Sequence, residues 1–238
     1  VRSTAPMAPR PLVELSAGER QRVLFAMPVD LESALGDVEH QKRFAALRHG
    51  LAAREAQAGG ELQANSLPFM LDARRGTHGT LVAHVARANA LWREAADTPV
   101  LVVFQGAQAY VSPSAYPSKA EHGKVVPTWN YVMVQARGGL RAIEDAAWLH
   151  ALVTRLTTVH EATQAKPWAV DDAPPAFVDT MLRAIVGIEI ELTSLTGKWK
   201  VSQNRSAADR EGVAQGLTQR PEADAQAMAR EVRRAGAG

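Results

Sequence analysis

The chain has 238 residues, of which 46% are hydrophobic and 22% are charged, so it can bury one substantial core. Its 27 basic and 25 acidic residues leave a net charge of +2, without the concentrated positive charge typical of a duplex-DNA reader. The absence of cysteine excludes disulfides, thiolate metal sites and cysteine nucleophiles. The apolar run Val100–Phe104 is too short to cross a bilayer, so we expect a soluble, cytoplasmic chain with no membrane partner.

Residues 1–58 differ in pattern from the rest of the chain. The proline-rich residues 1–18 indicate a flexible leader. From residue 19 to residue 58, apolar residues recur at loosely helical spacing, which predicts one or two helices with a break at Pro28. We therefore expect this part of the chain to be a leader followed by a helical N-terminal segment.

Short strand-like runs dominate residues 59–143. Their sequences alternate or are almost wholly apolar, and they begin at Leu62, Gly79, Val100, Ala109, Thr128 and Leu140. Gly106 and the pair Gly138–Gly139 are predicted as turns between them. Asn89 is predicted to cap a short helix at 90–96. A succession of short strands and turns favours a barrel or a sandwich over a doubly wound sheet.

Helical periodicity returns at about residues 145–185, which we interpret as a helical insertion. Alternation resumes at Ile188–Leu192 and Lys198–Gln203, with Gly197 as the turn between two strands. These elements predict a mainly β domain with peripheral helices, of the α+β class.

The domain is expected to cover residues 59–218 and to be followed by a tail. Ser206 with Asp209 three residues later is typical of a helix start. The Ala- and Arg-rich residues 219–238 predict a frayed helix or disorder, and hence a flexible C-terminal tail.

Four sequence blocks carry a resemblance to a known family over residues 61–217. They are LQANSLPFMLD with GTLVAHVARANALW, FQGAQAYVSPSAYPSKAEHGKVVPTWNY, HEATQAKPWAV with MLRAIVGIEIEL, and GKWKVSQNRSAADREGVAQGL. They resemble the PaiB-type family of FMN-binding negative transcriptional regulators. The resemblance implies an FMN-binding split β-barrel, a Greek-key-like antiparallel barrel that forms a homodimer and is similar to flavin-reductase and pyridoxamine-oxidase-like barrels.

The front of the chain departs from that family. A strand rich in β-branched residues is expected there, but His49–Ala56 contains none and reads more as helix than as strand. Either the first barrel strand is degraded and the barrel is open near residues 49–56, or this segment differs from its relatives.

The resemblance implies a phosphate-binding corner at Arg87 and Asn89, because guanidinium groups and helix starts both attract phosphate. Asn65, Ser66 and His84 lie on neighbouring strands and are candidates for the edge of the flavin ring. The alternatives remain that Arg87 is a surface residue, Asn89 only a helix cap, and His84 a hydrogen-bonded barrel histidine.

A second group of candidate cofactor contacts lies further along the chain: Lys119, Trp129, Asn130, Lys198, Lys200 and Gln203. Trp129 offers a flat ring but could equally be core. Two lysines on one strand face suit an anion, while the alternative is a solvated face opposite a buried Trp199. By resemblance, the polar loop that contains Lys119 reaches the second subunit's site.

Three functions remain open from the sequence. They are an FMN-binding transcriptional regulator without turnover, an FMN-dependent oxidoreductase on the same barrel, and a structural dimer without cofactor. A regulator needs DNA or another regulatory partner, yet no convincing helix-turn-helix pattern is present. The seven histidines show no metal-ligand spacing, so we predict no metal site, and we assign no catalytic residue.

Overall fold

The computed structural model describes residues 22–28, 49–51, 53–54 and 63–236. The strands are β1 (Arg22–Pro28), β2 (His49–Leu51), β3 (Ala53–Arg54), β4 (Gln63–Ala64), β5 (Ser66–Asp72), β6 (Thr80–Ala86), β7 (Thr98–Val111), β8 (Thr128–Ile143) and β9 (Ile185–Lys200). The helices are α1 (Leu91–Glu94), α2 (Ser118–His122), α3 (Ala146–Glu161), α4 (Pro175–Arg183), α5 (Ala207–Thr218) and α6 (Ala223–Arg234). The leader predicted for residues 1–18 lies outside the described residues.

The long strands form a closed barrel in the order β1-β5-β6-β9-β8-β7, and β7 pairs back to β1. Neighbouring strands are antiparallel, except that both pairings of β1 are parallel. Closure satisfies backbone groups that an open sheet would leave at its edges. The mainly β, split-barrel architecture expected from the sequence is thus confirmed.

β1 contradicts the helical prediction for residues 22–28, whereas residues 19–21 and 29–48 of the predicted helical segment lie outside the described residues. Arg22–Pro28 pairs with β5 on one side and with β7 on the other. Its sequence, RVLFAMP, is almost wholly apolar, and a short run of this kind fits a buried strand as well as a helix. Pro28 ends the strand, where its missing N–H costs no ladder bond.

The prediction for His49–Ala56 is also wrong where the structure describes it. β2 pairs with β7, and β3 pairs with β4, so neither segment is helical. Pairing with a neighbouring strand outweighs the weak local preference of these residues. The barrel wall expected to be open here is supplied by β1, while Ala52, Glu55 and Ala56 lie outside the described residues.

Glycines predicted as turns lie inside long strands instead. Gly106 falls at a bulge in β7, and Gly138–Gly139 lie in β8 where its register against β9 shifts. A Cβ atom on Gly138 would be 2.1 Å from the carbonyl oxygen of Glu191, and one on Gly197 would be 2.2 Å from the ring of Trp199. These glycines therefore permit close approach in a curved wall and do not reverse the chain.

Helices α5 and α6 pack on the barrel. Their residues Val213, Leu217, Met228 and Val232 belong to the same buried cluster as the barrel interior. Residues 223–234 therefore form a packed helix, so the helix that the sequence allowed is present and the expected fraying and flexibility are wrong for this stretch. The apolar side chains of α6 recur at helical spacing and are buried, so packing against the core anchors this Arg-rich helix.

A buried carboxylate ties the polar loop after β7 to the start of α5. Asp209 accepts hydrogen bonds from the backbone N of Ser118 at 3.1 Å and from its hydroxyl at 2.8 Å. Ser206 caps α5 by accepting from the backbone N of Asp209, as predicted. Burial by itself would raise the pKa of Asp209, but the hydrogen bonds from Ser118 and Ser206 outweigh it and lower the pKa.

The helical insertion between β8 and β9 covers part of the outer wall. Leu152 and Leu156 of α3 form a second buried cluster with Met70 of β5 and Val82 of β6. None of the helices among the described residues is long and apolar enough to cross a membrane.

Glu189 on β9 joins three parts of the wall. Its buried carboxylate pairs with Arg75, in the turn between β5 and β6, and with Arg141 on β8. The hydrogen bond from Arg75, opposed by burial and reinforced by Arg141, lowers the pKa of Glu189 to about 2.

We expect Glu189→Gln to destabilise the fold at neutral pH, because it removes the charge that pairs with Arg75 and Arg141. The loss in the free energy of unfolding should be limited to about 1 to 2 kcal/mol, since both arginines are partly exposed and solvent screens the ion pairs. The folded-state pKa lies below the ordinary value of 4.5, so this stabilisation is complete above pH 4.5 and is lost as the pH falls towards 2. Urea unfolding should show that the difference in the free energy of unfolding between variant and wild type is smaller at pH 3 than at pH 7. Glu121→Gln, at an exposed position, serves as the control. If the effect of Glu189→Gln on the free energy of unfolding is the same at both pH values, the stabilising role of the Glu189 ion pairs is contradicted.

Candidate functional site

Arg87, predicted to bind phosphate, is held by partners within the fold. Its Nε donates to the carbonyl oxygen of Arg183 at 2.8 Å, and one terminal nitrogen donates to that of Ile185 at 3.2 Å. The other terminal nitrogen pairs with the carboxylate of Glu144. All three guanidinium nitrogens are therefore engaged where α4 runs into β9, and a phosphate would have to compete with these bonds.

Asn89 is likewise satisfied locally. Its Oδ1 accepts from the backbone N of Leu91, the first residue of α1, at 2.9 Å, but the N-cap position is Ala90, one residue later than the sequence predicted. Its Nδ2 donates to Oδ1 of Asn65 at 2.8 Å, which brings together two of the predicted residues. Ser66 follows Asn65 at the exposed start of β5.

His84 lies on β6 between Ala83 and Val85, which point into the barrel core, so its side chain points outward. Its Nδ1 is buried and has no hydrogen-bond partner among the described residues. Burial lowers the pKa of His84, which favours the neutral imidazole at pH 7. The part of the chain that the structure describes gives it no acid–base partner.

We expect Arg87→Ala to lower stability by about 1 to 3 kcal/mol, because it leaves two carbonyls and a carboxylate without their donor. It should change the affinity for FMN and that for riboflavin by similar, small factors. Thermal unfolding and flavin fluorescence titrations measure the two effects. A selective loss of FMN affinity would restore the phosphate role that the sequence suggested.

The outer surface of β7, β8 and β9 brings together other predicted residues. Tyr110 lies opposite Trp129, and Tyr131 lies opposite Lys200, with Lys198 two residues earlier on β9. The Tyr110 and Trp129 rings are 6.0 Å apart between centroids at an angle of 66°. Trp129 is 55% exposed and Tyr110 41% exposed. We call these five residues the aromatic–lysine face.

The two lysines of this face have no acidic partner among the residues whose side chains the structure describes. The ammonium groups of Lys198 and Lys200 are 5.6 and 6.0 Å from the centroid of the Tyr131 ring, and Lys200 also donates to Oγ1 of Thr128 at 2.7 Å. No carboxylate of residues 65–236 lies within ion-pair distance of either. Two positive charges therefore face solvent beside exposed aromatic rings.

The remaining predicted residues are not on this face. Asn130 points into the barrel, is buried, and donates to Oγ of Ser202 at 2.9 Å. Gln203 braces the end of β9, accepting from the backbone N of Val201 and donating to the carbonyl of Trp199. Lys119 lines a cleft of about 640 Å³ between α2 and α5.

Sequence reasoning missed Tyr110 and Tyr131 as members of the face. Tyr131 lies two residues after Trp129 in one strand, so their shared side was evident from alternation. Tyr110 required the register between β7 and β8, which the bulge at Gly106 conceals.

The donor set of the aromatic–lysine face fits FMN. The cofactor has a flat ring and a dianionic phosphate. This face offers exposed aromatic surface together with two ammonium groups that form no ion pair with a carboxylate of residues 65–236. Trp129 and Tyr110 would contact the ring, while Lys198 and Lys200 would hold the phosphate. The Arg87 corner fits less well, because its donors are already used.

Comparison with known proteins agrees with this chemistry. The family described as "Putative FMN-binding domain" matches residues 34–194. An uncharacterized protein of Aspergillus fumigatus is 34% identical over 198 residues, covering 66% of this chain and 76% of the relative. Protease synthase and sporulation protein PAI 2 of Bacillus subtilis is 32% identical over 158 residues, covering 66% and 73%.

Among solved structures, the flavocytochrome Anf3 from Azotobacter vinelandii is similar with a TM-score of 0.40 and 11% identity. That match covers 63% of this chain and 61% of the flavocytochrome chain, less than two thirds of it. A likeness this distant carries no functional argument. The family match and the PAI 2 relative confirm the resemblance seen in the sequence blocks: the chain belongs to the PaiB-type FMN-binding family, and FMN is its cofactor.

Proposed function

We propose that this protein is a flavin-binding regulator that holds FMN on the aromatic–lysine face. The observation that carries the proposal is the pair Lys198 and Lys200, which stands beside exposed aromatic rings without a carboxylate partner among the described residues. Bound FMN would supply electron transfer at its ring. The described residues would bind and orient it, the lysines through the phosphate and Trp129 through the ring.

The regulatory part of the proposal draws on the relative PAI 2, whose name refers to protease synthesis and sporulation. Flavin occupancy or redox state would be the signal, and DNA or a regulatory protein would receive it. We also propose that the protein acts in the cytoplasm, which its cysteine-free sequence fits, and that it works as a homodimer.

The absorbance spectrum of freshly purified protein tests the flavin itself. We expect yellow protein, or quenching of flavin fluorescence when FMN is titrated into colourless protein. Colourless protein that leaves FMN fluorescence unchanged would instead support the cofactor-free structural dimer.

Two further assays separate regulator from enzyme. Steady consumption of a reduced nicotinamide by the FMN-loaded protein would favour the oxidoreductase over the regulator. A mobility-shift series with the DNA upstream of its own gene tests direct regulation, and a specific, salt-sensitive complex is the supporting result. Without such a complex, direct regulation through this DNA is ruled out, and a protein partner is the form of the regulatory proposal that is left to test.

A further inference from the structure

A polar cleft lies between α2 and the turn that joins β9 to α5. Its volume is about 450 Å³, which is in the usual range for a small-ligand pocket. The side chains that line it include Glu121, His122, Lys124, Asn204 and Arg205. We call it the Lys124–Arg205 cleft. None of its lining residues belongs to the aromatic–lysine face, so a ligand bound here would be separate from the proposed flavin site.

The fold holds both walls of this cleft in place. Asp209 on α5 accepts two hydrogen bonds from Ser118 on α2, which ties one wall to the other. The turn after β9 contains Ser202 at a φ of 61°, a left-handed conformation that a residue other than glycine keeps only when its surroundings impose it. The buried amide of Asn130 donates to the Ser202 hydroxyl at 2.9 Å, and the backbone N of Arg205 donates to the Ser202 carbonyl at 3.0 Å. The cleft is therefore formed before any ligand binds.

Arg205 is positioned by the fold, but its charge is not neutralised there. Its backbone carbonyl accepts from a terminal nitrogen of Arg210 at 2.8 Å, and its guanidinium carbon lies 4.9 Å from the centroid of the Tyr116 ring. Stacking on a ring uses the flat face of a guanidinium and leaves its N–H edge for other partners. No carboxylate of residues 65–236 lies within ion-pair distance of this group.

Lys124 and His122 add two more donors to the same cleft. The ammonium group of Lys124 also has no carboxylate of residues 65–236 within ion-pair distance. The backbone N of Lys124 donates to Nδ1 of His122 at 3.0 Å. Because Nδ1 is the acceptor, the proton of the neutral imidazole is on Nε2, which can donate to a ligand. Two cations and an imidazole N–H therefore line one pocket.

Two carboxylates also line the cleft, and they differ in what they can still bind. Asp209 is buried and its two oxygens accept from Ser118, so the fold satisfies it. Glu121 is exposed and forms no ion pair within the part of the chain that the structure describes. A free carboxylate repels a bare anion, but it accepts hydrogen bonds from hydroxyl groups, as acidic residues do from ribose in dinucleotide sites.

The chemistry of the cleft matches a ligand with a phosphate at one end and hydroxyl groups at the other. Lys124, Arg205 and His122 would bind the phosphate through charge-assisted hydrogen bonds, and Glu121 would accept from the hydroxyls. We propose that the Lys124–Arg205 cleft binds a small phosphate monoester that carries hydroxyl groups, of the sugar phosphate or nucleoside monophosphate class. This site is additional to the flavin site and does not depend on it.

Isothermal titration calorimetry on the full chain tests the proposal, with ribose 5-phosphate, AMP, inorganic phosphate and ribose as probes. Each titration is run with and without saturating FMN. We expect at least one of the two phosphate monoesters to bind about tenfold or more tightly than inorganic phosphate, because it adds hydroxyl contacts to the phosphate contacts. Ribose should give no measurable binding, and FMN should leave the dissociation constants unchanged. Tighter binding of AMP than of ribose 5-phosphate would identify a nucleotide site, and equal binding a sugar phosphate site.

Variants of the lining residues connect the binding to this cleft. Lys124→Gln/Arg205→Gln should weaken ribose 5-phosphate binding about tenfold or more. Lys124→Gln alone changes an exposed side chain and leaves the stacking of Arg205 on Tyr116 intact, and it should still weaken binding about threefold or more. Glu121→Gln should weaken ribose 5-phosphate relative to inorganic phosphate. Arg155→Gln/Lys166→Gln removes two exposed charges from the helical insertion and should behave like wild type.

Three results would overturn the proposal. The first is that neither phosphate monoester binds more tightly than inorganic phosphate. The second is that Lys124→Gln binds ribose 5-phosphate as tightly as wild type. The third is that FMN displaces ribose 5-phosphate, because the cleft would then be part of the flavin site. If ribose 5-phosphate binds as expected while FMN does not bind at all, the proposed flavin function fails and the second site stands.

Discussion

Replacing Gly138 by alanine should cost the fold about 3 kcal/mol or more, whereas the same change at Gly139 should cost less than about 1 kcal/mol. A Cβ atom on Gly138 would lie 2.1 Å from the carbonyl oxygen of Glu191 and 2.8 Å from Cγ2 of Ile190, while one on Gly139 would meet nothing within 4 Å. The obstructing atom belongs to the backbone of the paired strand, so no side-chain rotation can relieve the clash.

Urea unfolding followed by circular dichroism measures this difference between adjacent residues. Both variants change glycine to alanine, so the change in the entropy of the unfolded chain is similar and cancels in the comparison. Equal unfolding midpoints would mean that β8 and β9 are not in the register Gly138↔Leu192 that creates the close approach.

Lys198→Gln/Lys200→Gln should weaken FMN binding by about 10- to 100-fold and riboflavin binding by no more than about threefold. The ammonium groups are the charged donors of the aromatic–lysine face, and riboflavin has no phosphate for them to bind. Trp129→Ala should weaken both flavins by similar factors, because its indole would contact the ring that they share.

Flavin fluorescence titration gives both affinities for each variant, with Arg155→Gln/Lys166→Gln as the charge-matched control. Lys198→Arg/Lys200→Arg keeps the charge and should recover most of the FMN affinity. Equal losses for FMN and riboflavin in the double glutamine variant would place the phosphate elsewhere on the protein.

The sequence predicted the barrel because alternation along β5, β6, β8 and β9 is a local signal. It predicted the cap at Ser206 for the same reason, since cap and partner are three residues apart. It assigned Asn65 to the flavin ring and Asn89 to the phosphate, and did not predict the hydrogen bond that joins their side chains.

The errors concern contacts between distant parts of the chain. Gly138 looks like a turn residue until the backbone of Glu191 in the paired strand is known to lie directly against it. Arg87 looks available for phosphate because its partners, Glu144, Arg183 and Ile185, are 57 to 98 residues away. The error at helix α6 does not depend on distant contacts, because its apolar residues recur at helical spacing within its own sequence. Its many charged residues made that buried side difficult to recognise.

The folded barrel extends beyond the region that matches the family at both ends. The match ends at residue 194, inside β9, and begins at residue 34, after β1 has already closed the barrel. Helices α5 and α6, which complete the buried cluster, also lie beyond it. A fragment meant for fusion or isolated expression should therefore run from β1 to α6. A fragment cut at the limits of the family match would lack parts of the hydrophobic core.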